Sequence, residues 1–533
     1  MSLCTVEFWC YSGRSKGWHG LCETSSAACK FAAPGVEHAG RFRVFPHESH
    51  IKEHVVINDY RNFINGTFSK EASTALLEVL NPATNEILGH VPNSSRTEVD
   101  AAVSAARSAQ PAWEKLPAIQ RAGYLRKISK KIRDNKERIA ELITREQGKV
   151  LSLAQVEVDF TADYIDYMAE WARRIEGEVI TSDRPNETIL LLRKPVGVVA
   201  GILPWNFPFF LIARKLAPAL VTGNTIVIKP SEETPLNAFV FAELAAECEL
   251  PPGVFNLIGG ARETGAALAG HKDVDLVSFT GSVGTGVHIM RAAAENLTRV
   301  NLELGGKAPA IVLASADLDL AANAVYQSRI LNTGQVCNCA ERVYVERSVA
   351  AAFTDKVVAL MKATTYGDPI KNRSVSMGPL VSAGQLAKVA SAVDLACKQG
   401  ARVALGGKVA DGLTGHHYEP TVLVDCGPDM DIMRSETFGP VLPIQAVDSL
   451  DEAIRYANDS DYGLTSSIFT NDLNAAMQAC RELKFGETYI NREHFEAMQG
   501  FHAGRRKSGI GGADGKHGLY EYMETQAVYL QSK

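Results

Sequence analysis

The sequence predicts an α/β protein with parallel sheets, from its length and from the way apolar runs alternate along it. A chain of 533 residues is too long for one compact core, so two or three domains are expected. From Val196 onward, segments of helical periodicity separate four short apolar runs: "VGVVAGIL", "NTIVIKP", "GVFNLI" and "DLVSFTG". Strands separated by helices of about 10 residues form parallel β-α-β units, which place a nucleotide or dinucleotide site at the strands' carboxyl ends.

A second series of the same kind begins at "PAIVL", residues 309–313, and continues through "RVYVE", "ARVAL" and "GPVLPIQAV" to about residue 489. Its first loop after a helix carries Cys337 and Cys339. The two series predict two α/β units, and we expect the chemistry to lie where one unit faces the other.

The residues before Val196 predict helices and two hairpins. "FINGTF", residues 63–68, predicts a hairpin whose turn is Asn65-Gly66. Apolar residues at three- and four-residue steps predict helices over 97–110, 117–147 and 155–176. The alternating runs of "EVITSDRPNETILLLRKP" predict a long hairpin with too little chain nearby to cover it. We expect this arm, with the terminal run "TQAVYLQ", to pack on another subunit, although folding back on its own domain remains open.

Composition and charge exclude several classes of partner. Lys and Arg total 55 against 61 Asp and Glu, a formal charge of −6 without long runs of one sign, which offers no surface for nucleic acid or an anionic membrane. No apolar run reaches the roughly 18–20 residues of a membrane helix. The N-terminus lacks the pattern of a secretory signal and carries Glu7 and Glu23, which transit peptides avoid, so a cytoplasmic protein is expected.

Ten cysteines are few for this length, and a disulfide framework is not expected. Four of them, Cys4, Cys10, Cys22 and Cys29, lie near the N-terminus together with several histidines. Their spacing lacks the paired pattern of a zinc site. Residues 1–54 are therefore predicted to be a poorly ordered extension without an assigned function, and no metal site is expected in the chain.

The stretch "NTGQVCNCAERVYV" allows three roles for Cys337 and Cys339: ligands of a metal, a disulfide, or one nucleophile beside an inert neighbour. Two thiols supply only half of a typical zinc site, and no histidine is near in sequence. A disulfide between cysteines two positions apart is strained. A cysteine nucleophile is therefore favoured, while a buried, small apolar role suits Cys339.

Other stretches offer groups that a cysteine nucleophile needs to complete a reaction. "PWNFP" fixes Asn206 between prolines, where its amide could meet an oxyanion, and "NLELGGKAP" places Glu303 before a Gly-Gly turn as a base. "VIKPSEETP" ends a strand with Lys229 and Glu232, which suit ribose hydroxyls, and "FTGSVGTG" begins a helix with glycines, a context that suits a phosphate. A single Asn or Glu in a loop is more often a cap or a solvated side chain, so each signal is weak alone.

In this order, "PWNFP", "VIKPSE", "SFTGS", "LELGGKAP", "GQVCNCAER" and "ETFGP" resemble the motifs of the aldehyde dehydrogenase superfamily, over about residues 55 to 532. The resemblance implies a Rossmann-type NAD-binding domain, an α/β catalytic domain and a β-hairpin oligomerisation arm. It also implies NAD as the cofactor, a small aldehyde as the substrate and a homotetramer. The implied bounds are 55–176 and 196–305 for the NAD-binding domain, 306–518 for the catalytic domain, and 177–195 with 519–533 for the arm.

By this resemblance Cys337 is the nucleophile, Asn206 and the Cys337 backbone amide form the oxyanion hole, and Glu303 is the base for hydrolysis. A carboxylate at Glu232 accepts hydrogen bonds from both ribose hydroxyls and repels a 2′-phosphate, so NAD is expected rather than NADP. The residues implied to bind the cofactor are Lys229, Glu232, Gly281, Ser282, Glu436, Phe438, Pro204 and Trp205.

Four longer stretches are similar to the branch of the family that oxidises small 2-hydroxyaldehydes, lactaldehyde and glycolaldehyde: "FTADYIDYMAEWARR", "PWNFPFFLIARK", "GQVCNCAERVYV" and "INREHFEAMQGFHAG". The substrate residues implied are Arg214, Asn338, Glu496 and His502, although each could equally form a structural salt bridge. A semialdehyde, whose carboxylate Arg214 would bind, is the alternative substrate. Arg505 stands where similar proteins have an aromatic residue, which is expected to alter the rim of the substrate funnel.

Overall fold

The computed structural model describes residues 58–70, 73 and 75–533, so the predicted extension and its cysteines lie outside the described residues. Up to residue 195 the chain forms short strands, four helices and a hairpin. In order, they are β1 (Asn58–Asp59), β2 (Phe63–Ile64), β3 (Thr67–Phe68), β4 (Leu76–Leu80), β5 (Ile87–Pro92), α1 (Arg96–Lys115), α2 (Ala118–Asp134), α3 (Lys136–Gln147), α4 (Leu151–Glu170), β6 (Glu178–Thr181) and β7 (Glu187–Pro195).

Two series of strands and helices follow. The first consists of β8 (Val198–Ile202), α5 (Phe210–Thr222), β9 (Thr225–Lys229), α6 (Leu236–Ala246), β10 (Phe255–Leu257), α7 (Arg262–Ala269), β11 (Leu276–Gly281), α8 (Val283–Ala294) and β12 (Arg299–Leu304). The second consists of β13 (Ala308–Val312), α9 (Leu318–Ile330), β14 (Ala340–Glu346), α10 (Ala350–Ala363), α11 (Ala383–Lys398), β15 (Arg402–Leu405), β16 (Thr421–Val424), α12 (Asp431–Arg434), β17 (Val441–Val447), α13 (Leu450–Asn458), β18 (Thr465–Phe469), α14 (Leu473–Glu482), β19 (Glu487–Ile490), β20 (Gly509–Ile510), α15 (Gly515–Tyr520) and β21 (Met523–Gln531).

The first large sheet has the order β20-β12-β11-β8-β9-β10-β2-β3, and the strands from β12 to β10 run parallel. Successive residues of its strands face opposite sides, as the pleat requires. Val199 and Ile226 pack with helices α2 to α6, whereas Val198 and Val227 pack with α1, α7 and α8. Helices therefore cover both faces, and the predicted parallel α/β unit is confirmed.

The second large sheet has the order β15-β16-β17-β14-β13-β18-β19, parallel throughout except for the edge strand β15. Ile311 faces α11, α13 and α14, while Ala310 and Val312 face α9 and α10. The second predicted α/β series is therefore confirmed as well.

Local predictions were right at one turn and wrong in part of the helical region. Asn65 and Gly66, with φ of 54° and 80°, form the predicted turn between β2 and β3. The single helix predicted over 117–147 is wrong, because the chain breaks at Asn135 into α2 and α3. The Asn135 side-chain amide donates to the Lys131 carbonyl at 2.9 Å, a local bond that competes with the helix. The third helix begins at Leu151 and ends at Glu170, earlier than predicted.

The predicted arm is part of a three-stranded antiparallel sheet. Strand β7 pairs with β6 on one side and with the whole of the terminal strand β21 on the other. Val179 and Tyr529 leave 77% and 64% of their surface exposed on this sheet. Packing on another subunit stays a prediction. Among the helices of the described residues, none has the length and apolar character to cross a membrane.

Candidate active site

A cavity of about 210 Å³ lies between the carboxyl ends of the first large sheet and the segment that leads into β14. It brings together residues that are far apart in the sequence. The predicted site residues that line it are Pro204, Trp205, Asn206, Arg214, Gly281, Ser282, Glu303, Cys337, Asn338, Glu436, Phe438, Glu496 and His502. Lys229 and Glu232, predicted for the adenosine ribose, lie outside this lining.

The two neighbouring cysteines differ in access to the cavity. Both are free thiols, but only Cys337 lines the cavity wall. The Cys339 thiol is buried and donates to the Val336 carbonyl at 2.9 Å. Burial raises the pKa of Cys339 to about 12, so this thiol stays protonated at neutral pH. Of the pair, Cys337 is the one placed to react with a molecule in the cavity.

A left-handed turn aims Cys337 at the cavity. Asn332, Thr333 and Gly334 have φ of 48°, 59° and 72° in succession, a strained conformation for the two residues that carry a Cβ. The turn is held by hydrogen bonds: the Asn332 amide donates to the Asn206 carbonyl at 2.9 Å, and the Gln335 amide donates to the Asn332 carbonyl at 3.0 Å. Strained backbone that its surroundings hold in this way is typical of functional sites.

Asn206 follows β8 and directs its side-chain amide at the loop of Cys337. One amide N–H donates to the Gln335 carbonyl at 3.0 Å. A carboxamide has two N–H donors, so the second remains for an oxygen atom in the cavity. This donor is suited to stabilise negative charge on an oxygen bound beside Cys337.

A buried ion pair, which the sequence analysis missed, supports Asn206 from behind. The Lys149 ammonium donates to the Asn206 carbonyl at 2.7 Å and to Glu157 at 2.6 Å, with both charged side chains fully buried. Glu157 also accepts from the backbone N–H groups of Phe209 and Phe210, at 2.9 and 3.1 Å, where α5 begins. The pair therefore ties the Asn206 loop, α4 and α5 together.

Replacement of Lys149 by Met is expected to destabilise the protein by about 3–5 kcal/mol, because Glu157 is left buried without its counter-charge. The measurement is the apparent Tm, which should fall by several degrees. Lys130→Met is the matched control, since Lys130 forms an exposed pair with Asp134 and such pairs contribute little. Equal Tm values for the two variants would contradict the structural role of the buried pair.

Glu303 lies near the carboxyl end of β12 and is only 4% exposed. Thr280 donates its hydroxyl to the Glu303 carboxylate at 3.2 Å, and the Lys215 ammonium donates to that hydroxyl oxygen at 3.0 Å. Burial lowers the pKa of Lys215 to about 8, although the negative charge of Glu303 opposes this. Glu303 and Cys337 line the same cavity, so the carboxylate is placed to act as a base there.

The wall beside Asn338 is a charged cluster. Arg214 donates Nε to Asp514 at 3.1 Å, and its Nη2 donates to the other Asp514 oxygen and, at 2.9 Å, to Glu496. The Asn338 amide donates to the second oxygen of Glu496. The Nε and Nη2 donors of Arg214 are thus all used by carboxylates. Arg214 holds Glu496 in place, and Glu496 holds the Asn338 amide.

His502 completes this wall and carries a positive charge. Its Nδ1 lies 2.5 Å from Glu487 Oε1. Burial would lower the pKa of His502, but Glu487 and Glu496 raise it well above its usual value. Burial would raise the pKa of Glu496, but His502 and Arg214 hold it at about 2. At neutral pH the wall therefore presents charged and strongly oriented hydrogen-bonding groups.

Another part of the cavity wall has the carboxylate of Glu436 and two aromatic rings. Glu436 accepts a hydrogen bond from the Gly306 N–H at 3.0 Å, and Trp205 meets Phe438 edge-to-face at 5.3 Å between ring centroids. Burial and the charge of Glu341 raise the pKa of Glu436 to about 7. A Cβ at Gly306 would lie 2.6 Å from the Cys337 carbonyl oxygen, so only glycine fits where this turn meets Cys337.

The remaining predicted cofactor residues form a charged pair and a helix N-terminus. The Lys229 ammonium is buried, donates to the Gly260 carbonyl at 2.5 Å and lies 3.5 Å from the half-exposed Glu232 carboxylate. Ser282 caps α8, and its hydroxyl accepts from the Thr285 N–H at 3.3 Å. These donors and acceptors fit a dinucleotide, with ribose hydroxyls at Glu232 and Glu436 and phosphate at the helix N-terminus.

Arg505 is exposed and does not line the cavity, and its effect on the rim of the substrate funnel stays a prediction. Six residues that matter to the site were not predicted: Lys149, Glu157, Lys215, Thr280, Glu487 and Asp514. Glu157 and Lys149 lie eight residues apart where a new helix starts after Gly148, which is a weak signal of pairing. Nothing in the sequence marks Asp514 as a partner of Arg214, three hundred residues away.

Comparison with known proteins identifies the family of this chain. Residues 68–528 match the aldehyde dehydrogenase family. The chain belongs to that family. It is 59% identical over 471 residues to the lactaldehyde dehydrogenase of Escherichia coli (strain K12). The aligned region covers 88% of this chain and 98% of that protein. The resemblance predicted from the motifs is therefore confirmed.

Solved structures agree with this aldehyde dehydrogenase fold. The crystal structure of lactaldehyde dehydrogenase from Escherichia coli matches with a TM-score of 0.89 at 58% identity, covering 90% of this chain and 100% of that chain. A betaine aldehyde dehydrogenase from Staphylococcus aureus in complex with NAD+ matches with a TM-score of 0.86 at 36% identity, covering 88% and 94%. The predicted α/β fold class is confirmed.

Proposed function

We propose that this aldehyde dehydrogenase oxidises small 2-hydroxyaldehydes, lactaldehyde and glycolaldehyde, to their carboxylic acids with NAD as the cofactor. The observation that carries the proposal is the convergence of Cys337, Asn206 and Glu303 on one cavity. The identity to a lactaldehyde dehydrogenase supports the substrate class. So do Asn338 and His502, whose polar groups face the cavity and can bond a substrate hydroxyl.

Oxidation begins in this scheme with Cys337 as a thiolate. Its sulfur bonds to the aldehyde carbon, and the carbonyl oxygen becomes an oxyanion. This oxyanion accepts hydrogen bonds from the unused N–H of Asn206 and from the Cys337 backbone N–H. Bound NAD+ would supply the acceptor for the hydride that then leaves this carbon. The product on Cys337 is a thioester, with the oxygen restored to a carbonyl.

Hydrolysis of the thioester is the role proposed for Glu303. Its carboxylate takes a proton from water, the resulting hydroxide adds to the thioester carbon, and the bond to sulfur breaks. The acid leaves, and Cys337 returns as a thiolate. Thr280 and Lys215 act through Glu303 by orienting its carboxylate, since the Thr280 hydroxyl donates to it and accepts from Lys215.

NAD is the proposed cofactor because the available groups suit its two riboses and its diphosphate. Lys229 and Glu232 would hold the adenosine ribose, Gly281 and Ser282 the diphosphate, and Glu436 the second ribose. Phe438, Trp205 and Pro204 line the cavity next to Glu436, where the nicotinamide would lie. The Glu232 carboxylate would repel a 2′-phosphate, which favours NAD over NADP.

The KM for NAD+ is expected to rise as the pH falls from 8 to 6. Because the pKa of Glu436 is raised to about 7, the ionised form that accepts from two ribose hydroxyls is lost in this window. Steady-state kinetics with saturating aldehyde would measure the change. Glu436→Gln should have a high KM for NAD+ over the whole range from pH 6 to 8 and should lose the pH dependence. If the variant kept the wild-type pH dependence, the titrating group would be a residue other than Glu436.

The semialdehyde alternative is disfavoured by the state of Arg214. Its Nε and Nη2 already donate to Asp514 and Glu496, and its Nη1 lies 3.9 Å from Glu303. A substrate carboxylate would have to compete with these fixed carboxylates. A neutral hydroxyl meets no such repulsion.

Purified protein should reduce NAD+ in the presence of glycolaldehyde or lactaldehyde, followed by the absorbance of NADH. Glycolic or lactic acid should appear in equal amount. A panel of kcat/KM values that includes propanal and succinic semialdehyde decides the substrate class. A higher kcat/KM for propanal or succinic semialdehyde than for both hydroxyaldehydes would overturn the proposed substrate class. No activity with any of the aldehydes would overturn the proposal that the protein is an aldehyde dehydrogenase in function.

We also propose the domain bounds, the homotetramer and the cytoplasmic location given by the family resemblance. The two large sheets support an NAD-binding domain over 55–176 and 196–305 and a catalytic domain over 306–518, except that β20 in the last range pairs with β12 of the first sheet. The sheet of β6, β7 and β21, with its exposed apolar side chains, supports the arm over 177–195 and 519–533. The relationship to a bacterial lactaldehyde dehydrogenase is consistent with a cytoplasmic enzyme.

A further inference from the structure

We infer that Asp514 is a specificity-determining residue, which neutralises Arg214 from behind so that the cavity excludes aldehydes carrying a carboxylate. The inference rests on the proposed function, because it concerns which aldehydes reach Cys337. Asp514 itself does not line the cavity, whereas Arg214 does. Asp514 is therefore a positioning residue whose effect on the substrate passes through the guanidinium.

The hydrogen bonds of Arg214 show how completely Asp514 engages it. Arg214 and Asp514 are 5% and 1% exposed, so solvent does little to screen the pair. Asp514 accepts from Nε and from Nη2 in a two-pronged contact, the strongest geometry a guanidinium and a carboxylate can form. The second Nη2 hydrogen goes to Glu496. Among the described residues, Nη1 has no hydrogen-bond partner and only approaches Glu303, at 3.9 Å.

Charge at this wall is therefore in excess on the negative side. Three carboxylates, those of Asp514, Glu496 and Glu303, lie near two positive charges, those of Arg214 and Lys215. The positive charge of His502 is matched by its contact with Glu487. A carboxylate on a substrate that approached Nη1 would lie close to both Glu303 and Glu496, and like charges in a buried site repel strongly.

Position 514 can lose its charge without losing its shape. Asp514 has φ of 69° and ψ of 162°, a strained conformation for any residue with a Cβ, and asparagine, which has almost the same size, would bear the same strain. In Asp514→Asn the side-chain oxygen can still accept from Arg214 Nε, but the negative charge is gone. The wall would then lose one unit of its excess negative charge, and Arg214 could hold a substrate carboxylate through Nη1.

The test compares the ratio of kcat/KM for succinic semialdehyde to that for glycolaldehyde, with NAD+ saturating, in wild type and in Asp514→Asn. We expect the ratio to rise at least about tenfold in the variant, because one fixed repelling charge is removed from a buried site. The rise should appear as a lower KM for succinic semialdehyde. Asp448→Asn is the matched control: it removes a carboxylate from the exposed pair with Arg347 and should leave the ratio unchanged.

Glu496→Gln provides a second variant in case Asp514→Asn fails to fold. It removes a charge from the same wall, so the ratio should shift in the same direction, whatever happens to the rate with glycolaldehyde. An unchanged ratio in the folded variants would overturn the inference, and so would a wild-type enzyme that oxidises both aldehydes equally well. A wild type inactive with glycolaldehyde would instead contradict the proposed function, which keeps the two failures distinct.

Discussion

Cys337→Ala is expected to lower kcat/KM for glycolaldehyde by roughly 10⁵-fold or more, since loss of a covalent nucleophile removes the whole reaction path. Without the sulfur no thioester can form. The tetrahedral intermediate on Cys337, from which the hydride would leave, is not formed either. The rate of NADH formation measures the loss. The variant also loses the side-chain hydrogen bond between Cys337 and the buried His502, so its Tm is compared with that of the wild type to show that the fold is kept.

Cys339→Ala is the matched control, two positions away. Its thiol is buried, its pKa is raised to about 12 and its only role is to fill space and donate to a carbonyl. Activity should stay within a small factor of wild type, with some loss of Tm from the smaller side chain. If Cys339→Ala were inactive and Cys337→Ala active, the assignment of the nucleophile would be reversed.

Glu303→Gln is expected to lower steady-state turnover by about 10²–10⁴-fold while leaving the first hydride transfer largely intact. The amide cannot take a proton from water, so the thioester on Cys337 accumulates. Rapid mixing of enzyme, NAD+ and glycolaldehyde should give a burst of NADH close to one equivalent per active site, followed by a very slow phase.

Glu295→Gln serves as the control for this second variant, because Glu295 is an exposed residue at the end of α8. It should turn over like wild type without a burst of this kind. If Glu303→Gln gave no burst of NADH and its first turnover were as slow as its later ones, Glu303 would act in hydride transfer rather than in hydrolysis.

Local sequence patterns predicted the strands of the two large sheets, and the family motifs predicted many of the residues that line the cavity. Buried apolar runs separated by helices specify parallel strands, and parallel strands place the residues that follow them at one edge of the sheet. Asn206 after β8 and Glu303 near the end of β12 therefore meet in space, as the motifs implied. The exclusion of Cys339 also followed from local features, since a cysteine leading into a buried strand is an inert, small apolar residue.

Long-range partnerships could not be predicted in the same way. Arg214 was a candidate substrate ligand in the sequence, but the structure shows it bound to Asp514 and Glu496 from a distant part of the chain. The support of Asn206 by Lys149 and Glu157 depends on how α4 packs against α5, which no local pattern specifies.

The central claim, that Cys337 carries the substrate during oxidation, is tested most directly by trapping the intermediate. Glu303→Gln is mixed with NAD+ and glycolaldehyde, quenched in acid and digested, and the peptide that contains both cysteines is fragmented in a mass spectrometer. The account predicts the mass of one glycolyl group on Cys337 and none on Cys339. A glycolyl group on Cys339, or a burst of NADH with no acyl group on either thiol, would contradict it.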